Sequence, residues 1–143
     1  MKSPHSKKVW LILVFAIIFG QSAYAEISEE KAIHCILGEG RLEYMKFGYN
    51  SLLALAESLR NRGTTQGVYG CNVDLSKEAR YIELKGIKNA AARAWRESIS
   101  SNLVKGATYW GSTIVDKNWI EKMKKNGYTL TYKIGNHQFY KEN

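Results

Sequence analysis

The spacing of apolar residues changes once along this chain, and that change constrains the fold more than any other feature. Over most of the chain the apolar residues recur at helical spacing, as in Ile33, Ile36 and Leu37. From Tyr128 onward they alternate, and Gly135 interrupts the alternation, which is typical of a β-hairpin. The pattern therefore predicts a mainly α (α+β) domain with a small C-terminal β-hairpin.

Cap and stop residues set the expected bounds of the first two helices. The first helix begins after Ser28, a good N-cap, and Glu39 falls at or near its end. The second helix runs from about Tyr49 to Arg62, with Gly63 as the left-handed residue that stops it.

Two further helices are expected before the hairpin. One runs from about residue 88 to 102 with Ile99 on its buried face, and the other runs from about residue 116 to 126. Residues 64–86 are less regular, and the stretch 79–84 fits a short helical turn and an extended piece equally well.

The first 25 residues have the layout of a secretory signal peptide. Lys2, Lys7 and Lys8 precede an unbroken apolar run over residues 9–19, and Ala23-Tyr24-Ala25 offers small residues for cleavage. The apolar run is shorter than the roughly 20 residues that a membrane span needs. We therefore expect this segment to be removed, and any membrane contact to come only from an uncleaved signal segment.

Residues 26–143 would then form one exported domain, either secreted or held in the periplasm or cell wall. The formal net charge of the whole chain is +8, and three of the positive charges lie in the signal segment, so the domain itself is moderately basic. A basic exported domain is drawn to anionic polymers of the cell envelope. Nucleic acid is the weaker candidate because the basic residues are spread out, and we expect a monomer without a nucleic-acid partner.

The chain has two cysteines, Cys35 and Cys71. In an exported protein an even number of cysteines suggests a disulfide. The alternative is a buried Cys35 on an apolar helix and an unpaired Cys71 in a loop. Sequence spacing does not decide between the two, because a bond requires the two Cα atoms to be close in space.

The run Gly38-Glu39-Gly40-Arg41-Leu42-Glu43 places two carboxylates one helical turn apart, the first with a glycine on each side. Glycine allows a ligand or another backbone segment to approach closely. A carboxyl group that donates a proton inside a sugar-binding cleft needs such a setting. By itself the run is a weak signal, because two glutamates at this spacing more often form a solvated helix face.

A second candidate segment, residues 106–111, contains two adjacent aromatic residues between glycines. We interpret it as a loop in which Tyr109 or Trp110 stacks on a sugar ring and the Thr108 hydroxyl binds ring substituents. The alternative is that either aromatic side chain simply fills the core.

Metal binding and thiol catalysis are both disfavoured. His34 and His137 have no third ligand at a useful spacing, and catalytic zinc sites need three protein ligands. A nucleophilic pair of Cys35 with His137 is disfavoured because Cys35 looks buried and has no activating neighbour. We predict no metal and no cofactor.

Four short blocks occur in order between residues 32 and 141, and together they resemble a known family. They are Gly38-Glu39-Gly40-Arg41-Leu42-Glu43; Leu53-Ala54-Leu55-Ala56 with Arg60-Asn61-Arg62; Gly106-Ala107-Thr108-Tyr109-Trp110; and Ile134-Gly135-Asn136-His137-Gln138-Phe139-Tyr140. They are similar to the Gly-Glu-Ala-Arg-Gly-Glu signature, the Ala-Val-Ala…Asn-Arg helix, the Gly-Ala-Thr-His-aromatic segment and the closing Ile-Gly-x-His-x-Phe-Tyr of the SleB-type cell wall hydrolases, the family of the spore cortex-lytic enzymes. Each block alone is weak, whereas the ordered set is fairly specific.

Three positions depart from the family pattern. Gly40 replaces the usual Ala, Leu42 replaces the usual Gly, and Tyr109 stands where His is common. The first two changes alter the backbone beside Glu39. The third removes any role that the family gives to that histidine.

The resemblance implies a lysozyme-like fold and cleavage of the peptidoglycan glycan strand between N-acetylmuramic acid and N-acetylglucosamine, by a lytic transglycosylase or a muramidase. Glu39 would be the general acid/base. Glu43 would orient the neighbouring loop, by binding Arg41 or the backbone, or would act as a second carboxylate in hydrolysis. The candidate substrate-binding residues are Glu43, Thr108, Tyr109, Trp110 and His137.

Two other functions stay open at this point. One is a non-catalytic peptidoglycan-binding module on the same scaffold, which the three departures suggest. The other is a secreted interaction protein with a basic surface and a disulfide.

Overall fold

The computed structural model describes residues 26–143. Five α-helices and three strands follow in chain order: α1 (Glu29–Phe47), α2 (Tyr49–Arg62), α3 (Ala79–Leu84), α4 (Ile87–Glu97), β1 (Tyr109–Ser112), α5 (Lys117–Lys125), β2 (Thr129–Ile134) and β3 (His137–Lys141). The strands form an antiparallel sheet in the order β1–β3–β2. This is the mainly α (α+β) class that the sequence predicted. The predicted signal peptide, residues 1–25, lies outside the described residues and stays a prediction.

Helix α1 is longer than the sequence indicated. It begins as expected, since the Ser28 hydroxyl oxygen accepts a hydrogen bond from the Lys31 N–H at 3.2 Å. It continues through Glu39 to Phe47 and ends at Gly48, whose φ of +81° is readily adopted by glycine. The expectation that Glu39 lies near a helix end was therefore wrong: the carboxylate projects from the middle of α1.

Tertiary contacts explain why two glycines do not interrupt α1. A glycine inside a helix costs roughly 1 kcal/mol relative to alanine. Here a Cβ on Gly40 would lie 2.5 Å from Leu55 Cδ1 and 3.0 Å from Leu52 Cδ2 on α2. The missing side chain lets α2 pack directly against α1, and burial of each leucine stabilises the fold by about 1.5–3 kcal/mol.

Helix α2 has the predicted bounds, and Gly63 ends it at a φ of +72°. Part of its buried face belongs to the main core, in which Cys35 and Cys71 are joined by a disulfide with 4.0 Å between their Cα atoms. The structure thus decides between the two readings of the cysteines. Closing this loop stabilises the fold by roughly 3–4 kcal/mol on the chain-entropy model.

The segment after α2 contains short helical pieces. Two 3-10 turns, Tyr69–Asn72 and Ser76–Glu78, precede α3. Helix α3 covers residues 79–84, so this stretch is a short helix and not an extended piece. Helix α4 ends at Glu97, earlier than predicted, and Ile99 is 73% exposed rather than buried. The prediction for Ile99 was wrong because the chain leaves the helix before completing the turn that would bury it.

The predicted C-terminal hairpin is present as β2 and β3, joined by Gly135 and Asn136. The sequence missed the third strand, β1, which lies along β3 with Trp110 opposite Phe139. One face of this sheet packs on α2 through Trp110 and Phe139, and the other packs on α5 through Tyr140. No helix between residues 26 and 143 combines the length and apolar character needed to cross a membrane.

Candidate functional site

The Glu39 carboxylate is held by the 3-10 turn Tyr69–Asn72, which we call the Gly70 turn. The Gly70 N–H donates a hydrogen bond of 2.8 Å to Glu39 Oε1. Glu39 is half-buried. The sequence singled out Glu39 but missed this partner, and the only available signal was a glycine directly before Cys71.

The Gly70 turn can reach Glu39 only because two glycines face each other. A Cβ on Gly38 would lie 2.0 Å from the Gly70 carbonyl oxygen, and a Cβ on Gly70 would lie 2.5 Å from Glu39 Cγ. Both distances are shorter than any real contact, so neither position accepts a side chain without moving the backbone. The glycines beside Glu39 therefore serve backbone packing: Gly38 against the turn and Gly40 against α2.

The disulfide fixes the same turn from its other side. Cys35 lies one helical turn before Glu39 on α1, and Cys71 directly follows Gly70. The exposed Lys31 side chain adds a contact, since its Nζ donates to the Cys71 carbonyl oxygen at 3.4 Å. The covalent link thus holds the donor of the Gly70–Glu39 hydrogen bond against α1.

Glu43 follows Glu39 by one turn on the same side of α1 and faces the β-hairpin. Its Oε2 accepts a long hydrogen bond of 3.5 Å from the Asn136 N–H, and it would lie 2.6 Å from a Cβ on Gly135. The Phe47 ring is equally close to Gly135, with 2.4 Å between its Cδ2 and that Cβ position. Glu43 and Phe47 together seat the hairpin turn on α1.

These contacts lie on either side of Glu39, and we call the surface between them the Glu39 groove. The Gly70 turn forms one wall, the hairpin turn forms the other, and Glu39 lies between them. Arg41 projects from the opposite side of α1, where its guanidinium pairs with Glu78 at 2.8 Å and donates to the Gly38 carbonyl oxygen at 2.8 Å. Arg41 is thus no partner of Glu43, and of the two orienting contacts suggested for Glu43 only the backbone contact occurs.

His137 is buried on the hairpin side of the groove, 5% exposed, and its Nδ1 has no hydrogen-bond partner within residues 26–143. It lies on the face of β3 that packs toward α2, with its ring edge-on to Phe139 at 6.2 Å. Burial lowers the pKa of His137, and the carboxylates of Glu43, Glu39 and Asp116 oppose this shift. A neutral imidazole in this position is consistent with a supporting role beside the acidic residues.

The segment predicted as an aromatic loop is largely strand β1. Because side chains alternate along a strand, Tyr109 and Trp110 lie on opposite faces of the sheet. Trp110 is half-buried between the two larger clusters of the core, whereas Tyr109 packs edge-on to Tyr128 at 5.5 Å beneath the Arg62 guanidinium. The two rings cannot stack on one sugar ring together, and the loop interpretation was wrong.

Thr108 precedes β1, and its N–H donates to the Tyr140 carbonyl oxygen at 3.1 Å. The neighbouring Ala107 links this segment to α2, because Asn61 Nδ2 donates to its carbonyl oxygen at 3.1 Å. These two hydrogen bonds bring three of the four family-like blocks into direct contact. A sugar-binding role for Thr108, Tyr109, Trp110 and His137 stays a prediction.

A separate shallow cavity of about 440 Å³ lies at the loop between β1 and α5, lined by residues 114–119. It holds one carboxylate, Asp116, which already accepts the Ser112 N–H at 2.7 Å. The Glu39 groove is the better candidate site because it joins three separate parts of the chain around a held carboxylate. Within residues 26–143 no group of three or more His, Cys, Asp or Glu side chains could hold a metal ion.

Comparison with known proteins gives one solved structure of similar fold. It is the catalytic domain of the germination-specific lytic transglycosylase SleB from Bacillus anthracis, with a TM-score of 0.54 and 20% sequence identity over 84% of this chain and 98% of that one. No family model matches the chain, and no curated protein matches it. The likeness confirms the fold that the resemblance implied, a lysozyme-like domain with a small sheet.

Proposed function

We propose that this protein is an exported enzyme that cleaves the glycan strand of peptidoglycan between N-acetylmuramic acid and N-acetylglucosamine, with Glu39 as the general acid/base. One observation supports this function above the others. The half-buried carboxylate of Glu39 lies between the Gly70 turn and the hairpin turn, and a backbone N–H holds it at 2.8 Å. The fold shared with a lytic transglycosylase domain supports the same reaction class.

In the first step Glu39 transfers its proton to the leaving glycosidic oxygen while the bond from that oxygen to the anomeric carbon breaks. In the second step the resulting Glu39 carboxylate accepts the proton of the 6-hydroxyl of the same muramic acid residue. The freed oxygen attacks the anomeric carbon and closes an anhydro ring. One carboxylate is sufficient because it is regenerated in its protonated form.

The position of Glu43 favours transglycosylation over retaining hydrolysis. A retaining hydrolase needs a second carboxylate that reaches the anomeric carbon, with about 5–5.5 Å between the two carboxyl groups. Glu43 Oε2 instead faces the hairpin turn at Gly135 and Asn136. We propose that Glu43 positions the hairpin wall and takes no part in bond cleavage.

Replacement of Glu39 by glutamine tests the function. Gln is nearly isosteric but cannot donate a proton, so Glu39→Gln should release no soluble muropeptides from purified sacculi while its melting temperature stays close to that of the wild type. Glu83→Gln is the matched control, because Glu83 is an exposed carboxylate on α3. Full activity in Glu39→Gln would exclude Glu39 as the acid.

Mass spectrometry of the released fragments separates the two reactions. Transglycosylation leaves anhydro-muramic ends, which contain one water less than the reducing ends left by a muramidase. Reducing ends alone would contradict the proposed role of Glu43. If wild-type protein sediments with sacculi but releases nothing, the chain is a peptidoglycan-binding module and no enzyme.

A further inference from the structure

The Gly70 turn carries an aromatic side chain that the site described so far does not use. Tyr69 is 78% exposed, although both of its neighbours are buried. Val68 packs in the main core at 3% exposure, and Gly70 lies directly on α1. The exposed Tyr69 ring is therefore attached to a backbone segment that Val68 and Gly70 hold in place on either side.

Chain geometry places Tyr69 beside the candidate acid. Its Cα is two covalent bonds from the Gly70 nitrogen, and that nitrogen lies 2.8 Å from Glu39 Oε1. Summing these lengths puts the Tyr69 Cα within about 6 Å of the carboxylate. From this Cα, an exposed tyrosine side chain is long enough to reach a sugar adjoining the bond that Glu39 would protonate.

The chemistry of the ring fits the apolar face of a pyranose. An aromatic side chain offers a large flat surface with few rotatable bonds, so it loses little conformational entropy on binding. The Cys35–Cys71 disulfide lowers the cost further, because it fixes the residue next to Gly70 before any ligand arrives. Substrate binding therefore does not have to offset the entropy cost of ordering the Gly70 turn.

We propose that Tyr69 is a substrate-binding residue that stacks on a hexosamine ring next to the cleaved bond and positions the glycan strand over Glu39. This inference rests on the proposed cleavage of glycan strands. Tyr69 lies outside the four family-like blocks. The stacking role predicts that substrate affinity depends on the aromatic ring of Tyr69 and not on its hydroxyl group.

The experiment measures muropeptide release as a function of sacculus concentration. Tyr69→Ala should raise the half-saturating concentration about three- to tenfold, with the maximal rate within about twofold of the wild type. Tyr69→Phe keeps the ring and should behave as the wild type does. Because the ring is exposed, both variants should melt at the wild-type temperature.

Tyr81→Ala is the matched control. Tyr81 is an exposed tyrosine on α3. Helix α3 begins directly after Glu78, which pairs with Arg41 on the side of α1 away from Glu39. Tyr81→Ala should therefore leave the half-saturating sacculus concentration unchanged. An unchanged half-saturating concentration for Tyr69→Ala, or a loss as large for Tyr69→Phe as for Tyr69→Ala, would overturn the stacking role.

A sedimentation assay with sacculi separates this inference from the proposed reaction. If the wild type cleaves sacculi and Tyr69→Ala is unaltered, only the role of Tyr69 fails. If the wild type binds without cleaving and Tyr69→Ala binds more weakly, the reaction fails and the binding role stands. If the wild type neither binds nor cleaves, both fail together.

Discussion

Gly70 and Glu39 are joined by both a hydrogen bond and a close packing contact. The Gly70 N–H donates to Glu39 Oε1 at 2.8 Å, and a Cβ on Gly70 would lie only 2.5 Å from Glu39 Cγ. The candidate acid is therefore positioned by a turn that tolerates only glycine at this point. Perturbing the turn should change activity before it unfolds the domain.

Gly70→Ala should lower the rate of sacculus cleavage by at least tenfold. The added methyl group collides with Glu39 Cγ and with the Cys35 carbonyl oxygen at 2.6 Å, so the turn must move and the N–H loses its alignment with the carboxylate. Gly86→Ala is the control, because its φ of +67° makes alanine strained while no atom lies within 4 Å of the new Cβ. It should lower the free energy of unfolding by about 1 kcal/mol without lowering the rate per folded molecule. Equal rates for the two variants would refute the positioning role.

Opening the disulfide should lower both stability and activity. Replacing Cys35 and Cys71 together by serine should reduce the free energy of unfolding by roughly 3–4 kcal/mol, measured by urea denaturation. The rate at a temperature where the variant is still folded should also fall, because the Gly70 turn loses its covalent link to α1. Dithiothreitol should reproduce both effects in the wild type and have none in the double variant. A fully active folded variant would show that packing alone holds the turn.

Glu43→Gln should destabilise the domain slightly and leave the reaction products unchanged. The amide oxygen can still accept the Asn136 N–H, so we expect a loss of less than about 1 kcal/mol in the free energy of unfolding. Anhydro-muramic ends should persist in mass spectra of the released fragments. Glu121→Gln, an exposed carboxylate on α5, serves as the control. Complete loss of activity with a normal unfolding curve would instead assign Glu43 to bond cleavage.

His137 should make the domain less stable in mild acid. Burial lowers the pKa of His137 in the folded protein, so the unfolded chain binds the proton at higher pH. The contribution of His137 to the free energy of unfolding is therefore constant above about pH 7. It falls as the pH drops below about 6.5, the usual pKa of histidine. Urea denaturation at several pH values should show this fall in the wild type. His137→Gln cannot titrate and should show a smaller fall, whereas identical pH dependence would contradict the assignment.

Local sequence signals predicted those elements that depend on short-range chemistry. Helix α2 has the expected bounds because its apolar face and its Gly63 stop lie within the segment itself. The hairpin followed from alternation around Gly135. Strand β1 was missed because its pairing partner, Tyr140 opposite Tyr109, lies far along the chain. The extension of α1 past Glu39 was missed for a similar reason, since Gly38 and Gly40 are favourable only against the Gly70 turn and α2.

The sequence by itself determined the helical class, the C-terminal hairpin and Glu39 as the candidate acid, because periodicity and motifs are properties of neighbouring residues. Only the tertiary structure decided that Cys35 bonds to Cys71, that Gly70 holds Glu39, and that Glu43 faces the hairpin turn. Each of these relationships joins residues more than 30 positions apart. Their existence depends on which surfaces the packed helices bring within hydrogen-bond or covalent distance, and no local pattern encodes that.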